Sequence, residues 1–175
     1  LNSLVDSGTI DAGEREAFLA SIRTVSKTMQ DDAHQVLTGE RTWDAFVRHY
    51  GHLRPGSYDI TSANYASAPD KYLRPMLHQT TRTEGENDGE WNDATRAAVD
   101  EKLAQSGLGG SAIELERFMR NAIQGREFGK FAFMRNVDAG LEALAEMGAA
   151  YGLSREELSH IPINDFYELR SAISN

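Results

Sequence analysis

The chain has 175 residues, 40% of them hydrophobic, which is enough to bury the core of one domain. Its 18 Lys and Arg residues are outnumbered by 27 Asp and Glu residues, giving a formal charge of −9. This charge argues against duplex DNA or an anionic membrane as the main partner, because both require a cationic surface. The absence of cysteine excludes disulfides and thiolate metal sites, and it suits a cytoplasmic protein.

The first elements in the chain are predicted to be two helices. Asp11 followed by Glu14 is typical of a helix start, and apolar residues then recur at helical spacing, so we expect one long helix over 12–38. Thr42 is a suitable cap for a second, short helix that ends at Gly51. Both helices have one apolar face and therefore pack against other elements.

A long non-helical region follows. Pro55 and Gly56 prevent regular helix, and Pro69 and Pro75 bracket another irregular stretch with room for a single turn. These residues predict a long loop near residues 51–78, and the composition alone leaves open whether it is ordered.

The second half of the chain begins with a polar linker and continues into the longest helical pattern. Residues 80–90 are almost entirely polar and are the best candidate for a mobile linker. Ser111 and Glu114 form a capping-box pattern at the start of the long helix. Gly125 and Gly129 weaken its middle, so the pattern predicts either two helices or one kinked helix.

The remaining pattern is also helical and completes an all-α prediction. Ser154 with Glu157 is a second capping box, and Asn164 caps a last helix. No segment alternates with a period of two, so we expect an irregular or orthogonal multi-helix bundle that forms a single domain over 1–175. The chain starts at Leu1, without an initiator Met, and we expect it to be a piece of a longer multidomain protein.

Two His-containing pairs have a spacing that metal sites use. Asp31 with His34, and Glu157 with His160, are each three residues apart on predicted helices. Di-iron bundles use a Glu three residues before a His, because both side chains then project into one cavity. Surface or capping roles explain both pairs more simply, so we predict no metal site.

Gly107 to Ser111 precede a helix and raise the question of an anion site. Free backbone amides at a helix start can bind an anion. No Lys follows as in a phosphate-binding loop, and no strand precedes the turn. A tight connection between helices is therefore the favoured interpretation.

Two groups of residues carry most of the polar chemistry. Arg126 and Lys130 are one helical turn apart and could hold a phosphate or carboxylate, although Glu127 could simply pair with Lys130 on a solvated face.

The other group lies in the loop. His52 near Asp59 could act as a general base, and Arg54 could bind an anion. Alternatively, these polar side chains hold the loop by bonding its backbone, and spacing alone does not separate the two.

Three segments together resemble the helical middle region of phosphoenolpyruvate synthase-like and rifampicin phosphotransferase-like proteins. They are residues 50–62 (YGHLRPGSYDITS), 125–131 (GREFGKF) and 152–158 (GLSREEL), of which only the first is distinctive. The loop residues that match the family pattern are Gly51, His52, Asp59, Ser62 and Tyr65, with Arg54 as the basic partner shifted by one position. The departures are Ser57, Ala63 and Asn64.

The resemblance implies a domain of a larger enzyme. In the family, an ATP-grasp domain precedes the helical region and a mobile phosphohistidine domain follows it. ATP gives AMP and phosphate, and an enzyme histidine carries the phosphoryl group to a second substrate. ATP and Mg²⁺ are thus expected for the parent protein and no cofactor for this chain, which should be inert alone because none of its five histidines has the phosphocarrier context.

The resemblance therefore implies a cytoplasmic helical domain that positions the phosphohistidine domain and can line the site of a small-molecule acceptor. Its expected partners are the neighbouring domains of the same chain. The expected substrate-binding or interface residues are His52, Arg54, Tyr58, Asp59, Arg126, Glu127 and Lys130. We expect their charges to meet, as Arg54 with Glu127, or as Arg126 or Lys130 with Asp59. The alternative is a non-catalytic helical protein-interaction module, which exposed apolar residues on 12–38 or 164–173 would favour.

Overall fold

A computed structural model describes residues 1–79 and 89–166, except for the side chain of Gln79. In these ranges every regular element is a helix and no strand is present, which confirms the predicted all-α class. The helices are α1 Asn2–Asp6, α2 Ala12–Ser21, α3 Val25–Thr38, α4 Trp43–Tyr50, α5 Pro69–Tyr72, α6 Arg74–Gln79, α7 Asp93–Gln105, α8 Ala112–Ala150 and α9 Arg155–Ser159. None of the helices in the described ranges is long and apolar enough to cross a lipid bilayer.

The chain divides into two compact units, each with its own buried side chains. Unit 1 comprises Leu1–Asp31 and Thr81–Gly129, and unit 2 comprises Asp32–Thr80 and Lys130–Asn175. The assignment of 1–175 to a single domain stays a prediction.

Unit 1 is built around a small aromatic and aliphatic core. Phe18 is completely buried, and its ring centroid lies 5.5 Å from that of Trp91. Glu116, only 4% exposed, accepts hydrogen bonds from the Trp91 backbone N (3.0 Å) and from Arg96 Nε (2.9 Å). The buried residues of this core are Ile10, Phe18, Ile22, Trp91, Val99 and Ala112.

The prediction of one helix over 12–38 is wrong, because the chain leaves the helical conformation between α2 and α3. Ile22 adopts φ −72° and ψ 124°, and its side chain is 1% exposed within the unit 1 core. Thr24 then accepts a hydrogen bond from the backbone N of Lys27 (3.4 Å), which supports a new helix start. Helical periodicity therefore continues across a break that is stabilised by burial of Ile22.

The glycine turn before α8 is a tight helix connection, as favoured from the sequence. Gly107 and Gly110 have φ of 68° and 102°, which side-chain-bearing residues rarely adopt. Glu114 accepts from the backbone N of Ser111 (2.8 Å), and the Asp100 carboxylate accepts from that of Ala112 (2.5 Å). Two amides that an anion would need are therefore already bonded to carboxylates of the chain.

The long helical pattern forms one helix rather than two. α8 runs from Ala112 to Ala150 and passes through Gly125 and Gly129 without interruption. An added Cβ at either glycine would meet nothing within 4 Å, so neither glycine is required by a close contact.

Unit 2 has two groups of buried apolar residues. An aromatic group packs with ring centroids 5.0 Å apart for Phe46 and Tyr50, and 5.8 Å apart for Tyr50 and Phe131. The second group consists of Ile60, Ala145 and Leu158. The predicted Ser154–Glu157 capping box is confirmed at the start of α9.

The region near residues 51–78 is an ordered loop followed by two short helices. The loop extends from Gly51 to Ala68, after which α5 begins at Pro69, and Pro75 is the second residue of α6. The single turn expected between the prolines is present as the four-residue α5, and the region predicted as loop up to residue 78 also contains α6. Proline is accepted in the first turn of both helices, because its missing N–H has no helical partner there.

Two predictions fall partly outside the described residues. Of the predicted linker 80–90, residues 80–88 lie outside the described ranges. The last predicted helix is described only up to residue 166, with residues 163–166 helical.

Candidate functional site

The two ends of the loop in unit 2 are held together by backbone hydrogen bonds. Tyr65 N donates to Leu53 O (2.7 Å), and Ala66 N donates to Gly51 O (2.9 Å). A Cβ added to Gly51 would lie 2.5 Å from Val47 O and 2.8 Å from Ala66 Cβ. Glycine is therefore required at position 51, because the Val47 carbonyl of α4 and the returning chain at Ala66 both lie too close for any side chain.

Arg54 fixes the middle of the loop from inside. Its side chain is completely buried, and Nη1 donates to the backbone carbonyls of Asp59 (3.3 Å) and Ser62 (3.2 Å). Its Nη2 donates to the carboxylates of Asp138 and Glu142 on α8, at 3.0 Å for Glu142. A buried guanidinium is tolerated only when it is paired and hydrogen-bonded, so these contacts fix the loop against α8.

Asn64 provides a second connection between the loop and Asp138. Its Nδ2 donates to Asp138 Oδ1 (3.0 Å), and its Oδ1 accepts from the backbone N of Ser67 (2.8 Å). Asn64 is 7% exposed, so its amide bonds are shielded from water. Asn64 thus has a structural role in this chain.

Arg155 connects the loop to α9. Its Nη1 donates to the backbone carbonyl of Ile60 (3.0 Å), and its Nη2 donates to the Glu142 carboxylate. The capping box of Ser154 and Glu157 fixes the start of α9 and with it the position of Arg155.

We call Arg54, Asn64, Asp138, Glu142 and Arg155 the buried polar network. Sequence reasoning singled out only Arg54 for this role. A usable signal was present in α8, because Asp138 follows the apolar Phe131 by seven residues and therefore lies on the same, core-facing side of the helix. A carboxylate on a core-facing side requires a buried partner.

A second buried hydrogen bond fixes the residue that precedes the loop. Tyr50, 1% exposed, donates its hydroxyl to Asp32 Oδ2 (2.8 Å), and Arg41 forms an ion pair with the same carboxylate. Asp32 is itself 8% exposed, so both partners hold it in a shielded position. The loop thus leaves a fixed helix end.

His52 packs against α8 instead of facing Asp59. Its Nε2 lies 3.1 Å from the backbone carbonyl of Phe131, and because that oxygen can only accept, Nε2 carries the hydrogen. Burial is the main cause that lowers the pKa of His52 below its usual value. Asp59 instead accepts from the backbone N (2.9 Å) and the hydroxyl (2.7 Å) of Thr61, and these bonds lower the pKa of Asp59. The geometry gives no His52–Asp59 general-base pair.

The outer side of the loop carries the remaining predicted residues. Tyr58 is 72% exposed, and the side chain of Asp59 also faces solvent. Arg54 points inward and Tyr58 outward, so the predicted loop residues divide into a buried structural group and an exposed group.

The expected ion pairs between the loop and the Arg126 region are replaced by nearer ones. The expected ion pair of Arg54 with Glu127 is wrong, because Arg54 pairs with Asp138 and Glu142. Glu127 pairs with its sequence neighbour Arg126 (3.0 Å), whose side chain is 79% exposed.

Asp59 also has a hydrogen-bond partner close to it in the sequence. Asp59 is bonded to Thr61, and it forms no ion pair with Lys130 among the described residues. Arg126 and Glu127 belong to unit 1, whereas Lys130 and the loop belong to unit 2, and a shared surface stays a prediction.

The residues of the metal alternative have other partners. Asp31 pairs with Arg23 (3.1 Å), and Glu157 is bonded to Ser154 in its capping box. In the part of the chain that the structure describes, no group of three or more His, Cys, Asp or Glu side chains could hold a metal ion.

Comparison of the chain with protein-family models, with curated proteins and with solved structures gives no significant match.

Proposed function

We propose that this chain is the helical domain of a cytoplasmic multidomain ATP-dependent phosphotransferase resembling phosphoenolpyruvate synthase. In this proposal it positions a mobile phosphohistidine domain, and the outer side of its loop lines the site of a small-molecule acceptor. ATP and Mg²⁺ act on the neighbouring domains, with which this chain is covalently continuous. The chain by itself does not turn over ATP.

The observation that carries the proposal is the burial of Arg54. A long irregular loop has many backbone groups without helical partners, and here a fully buried guanidinium bonds two of its carbonyls. The loop is thereby held in one conformation while Tyr58 remains 72% exposed. Functional loops on rigid scaffolds have this organisation, since a fixed backbone holds the exposed side chains in position.

His52 supports a positioning role rather than a phosphocarrier role. Its Nε2 is occupied by the Phe131 carbonyl at 3.1 Å, and its ring packs on the Phe131 ring with centroids 4.6 Å apart. A histidine that carries a phosphoryl group between two sites must move with its domain, whereas these contacts hold His52 against α8. The carrier histidine of the proposal therefore lies in another domain of the parent protein.

The test is the coding sequence on both sides of residues 1–175. The proposal expects an ATP-grasp domain before the chain and a phosphohistidine domain after it. Flanking sequences that lack both domains would refute it. A companion assay is incubation of the isolated chain with ATP and Mg²⁺, in which we expect no AMP or ADP above the buffer control.

A second candidate, a non-catalytic protein-interaction module, is favoured by exposed apolar side chains. Leu37 on α3 is 53% exposed, and Phe118 and Phe128 on α8 are 68% and 65% exposed. Exposed apolar side chains that form a contiguous patch mark a binding surface, whereas single ones are common, so the test asks whether a partner covers them. Hydrogen exchange on the full-length parent distinguishes the two candidates. If the amides around these residues are protected in the parent protein without any partner, the helical-domain proposal is supported. If they become protected only after a separate protein is added, the interaction module is supported.

A further inference from the structure

Three basic side chains from three different elements of unit 2 pack against one aromatic ring. His49 on α4 and His52 in the loop have ring centroids 5.5 Å and 4.6 Å from that of Phe131. Arg135, one turn after Phe131 on α8, places its guanidinium carbon 5.4 Å from the same centroid. Phe131 is only 7% exposed, so the three basic groups pack against a buried aromatic side chain.

These groups keep hydrogen-bonding atoms available. His52 uses only Nε2, which donates to the Phe131 carbonyl, so its Nδ1 remains free for a ligand. Within the described residues, neither ring nitrogen of His49 has a hydrogen-bond partner, and Arg135 forms no ion pair. Arg135 is exposed, whereas both histidines are half-buried, so the group is open to solvent on one side.

The nearby carboxylates are already engaged by other residues. Asp32 binds Arg41 and the Tyr50 hydroxyl, and Asp138 binds Arg54 and Asn64. Neither carboxylate is therefore available to Arg135, which forms no ion pair among the described residues and is a locally uncompensated cation in a chain of net charge −9. Uncompensated basic groups of this kind attract anions.

The electrostatic surroundings of the two histidines disfavour their protonated forms. Burial, followed by the charge of Arg41 and then that of Arg135, lowers the pKa of His49, and Asp32 opposes this only weakly. For His52, burial is the largest cause, Arg135 and His49 act in the same direction, and the Phe131 carbonyl and Asp138 oppose them. An anion placed among these groups would favour the protonated form of both rings.

We propose that His49, His52 and Arg135 form a binding site for a phosphate-type dianion, either free phosphate or a phosphate monoester. The planar guanidinium fork matches two phosphate oxygens, and each histidine, once its ring is protonated, can donate to a further oxygen. Phosphate monoesters lose their second proton near pH 6, close to the range in which histidine titrates, so proton uptake by the rings and dianion binding reinforce each other. The site lies outside the buried polar network, and it does not depend on the activity proposed for the parent protein.

The test is a titration of the whole chain with anions at constant ionic strength, followed by nuclear magnetic resonance of ring-labelled histidines. Inorganic phosphate should saturate and raise the pKa of both His49 and His52, with His34, His78 and His160 as internal controls. Acetate at the same concentration should leave both rings unchanged. No saturable change at His49 and His52 with phosphate, or an equal change with acetate, would overturn the proposal.

Substitutions identify the arginine that binds the anion. Arg135→Gln should weaken phosphate binding about tenfold or more, since it removes a charge-assisted hydrogen bond. Arg117→Gln is the matched control, because it removes an equal charge from an exposed position on the same helix and should change binding less than twofold. Equal weakening by both variants would show general attraction to the surface and overturn the site.

The source of the ligand is distinguished by comparing inorganic phosphate with phenyl phosphate. Tighter binding of phenyl phosphate assigns the site to a phosphate monoester, and equal or weaker binding assigns it to free phosphate. Binding of neither at millimolar concentration contradicts both forms of the proposal. These results are independent of the flanking sequences, so failure of this site and failure of the proposed function remain distinguishable.

Discussion

Replacing Arg54 with Met tests how the loop is held. The substitution removes the guanidinium that Asp138 and Glu142 bind, while it preserves much of the side-chain volume. The side chain of Arg54 is completely buried, and those of Asp138 and Glu142 are 14% and 29% exposed, so water replaces the lost partner poorly. The carboxylates and the two loop carbonyls lose a shared donor.

The expected loss follows from the partners that remain. Breaking a buried ion pair from one side costs about 3–5 kcal/mol of the free energy of unfolding. Asp138 keeps Asn64 and Glu142 keeps Arg155, and Arg54 Nε already has no hydrogen-bond partner among the described residues. We therefore expect the lower end, about 3 kcal/mol, which for a chain of this size lowers the melting temperature by about 6–12 °C.

The assay combines a global and a local measurement. Urea unfolding followed by circular dichroism gives the change in the free energy of unfolding. Hydrogen exchange at the backbone amides of Tyr65 and Ala66 reports on the loop itself, because these amides bond to Leu53 and Gly51. Arg48→Met, at an exposed arginine of α4, is the matched control and should change stability by less than about 0.5 kcal/mol.

A change within about 0.5 kcal/mol for Arg54→Met, with unaltered loop exchange, would refute the reasoning. A double-mutant cycle with Asp138→Asn adds a further check. Arg54→Met leaves the Asp138 carboxylate without its cation, and Asp138→Asn removes that unpaired charge. The stability losses of the two single variants should therefore not add in the double variant. We expect a coupling free energy of about 0.5–3 kcal/mol, and strict additivity would contradict a direct interaction.

Further predictions concern local packing and pH. Gly51→Ala should lower the free energy of unfolding in urea by about 1–3 kcal/mol, because the added methyl group overlaps the backbone. Gly125→Ala lies in open space within α8 and should raise it by up to about 1 kcal/mol. The opposite order of stability would contradict the described packing. The pKa values of His49 and His52 are lowered on folding, so the unfolded chain binds more protons. Stability measured by urea unfolding should therefore be complete above about pH 6.5 and decrease as the pH falls below it, and the double variant His49→Gln/His52→Gln should flatten this dependence. Ser154→Ala should cost about 1 kcal/mol and increase amide exchange in α9, where it removes a cap.

The helix starts could be predicted from the sequence because caps are local. Asp11, Ser111 and Ser154 each bond within three residues of themselves. Both predicted capping boxes are present, and Asp11, predicted only as a helix start, forms a third with Glu14. The break at Ile22 could not be predicted, because the residue fits the helical period. It leaves the helix to be buried in a core whose other members include Trp91, far along the chain.

The loop was predicted in outline and not in its contacts. Pro55 and Gly56 were sufficient to exclude helix, and Arg54 was identified as an important residue. Its partners Asp138 and Glu142 lie 84 and 88 residues further on, so local patterns do not connect them. The expected partner Glu127 lies on α8, as the true partners do. Asp138 and Glu142, however, lie on the part of α8 that belongs to unit 2 and face its core.

The central claim is that this chain belongs to an enzyme that converts ATP to AMP through a phosphohistidine. The most direct test is phosphorus magnetic resonance of the purified full-length protein incubated with ATP and Mg²⁺ and no added acceptor. We predict that AMP and phosphate form in molar amounts equal to that of the enzyme. The remaining phosphoryl group should be bound to a histidine outside residues 1–175. Formation of ADP alone, or a phosphohistidine at His52, would contradict the account.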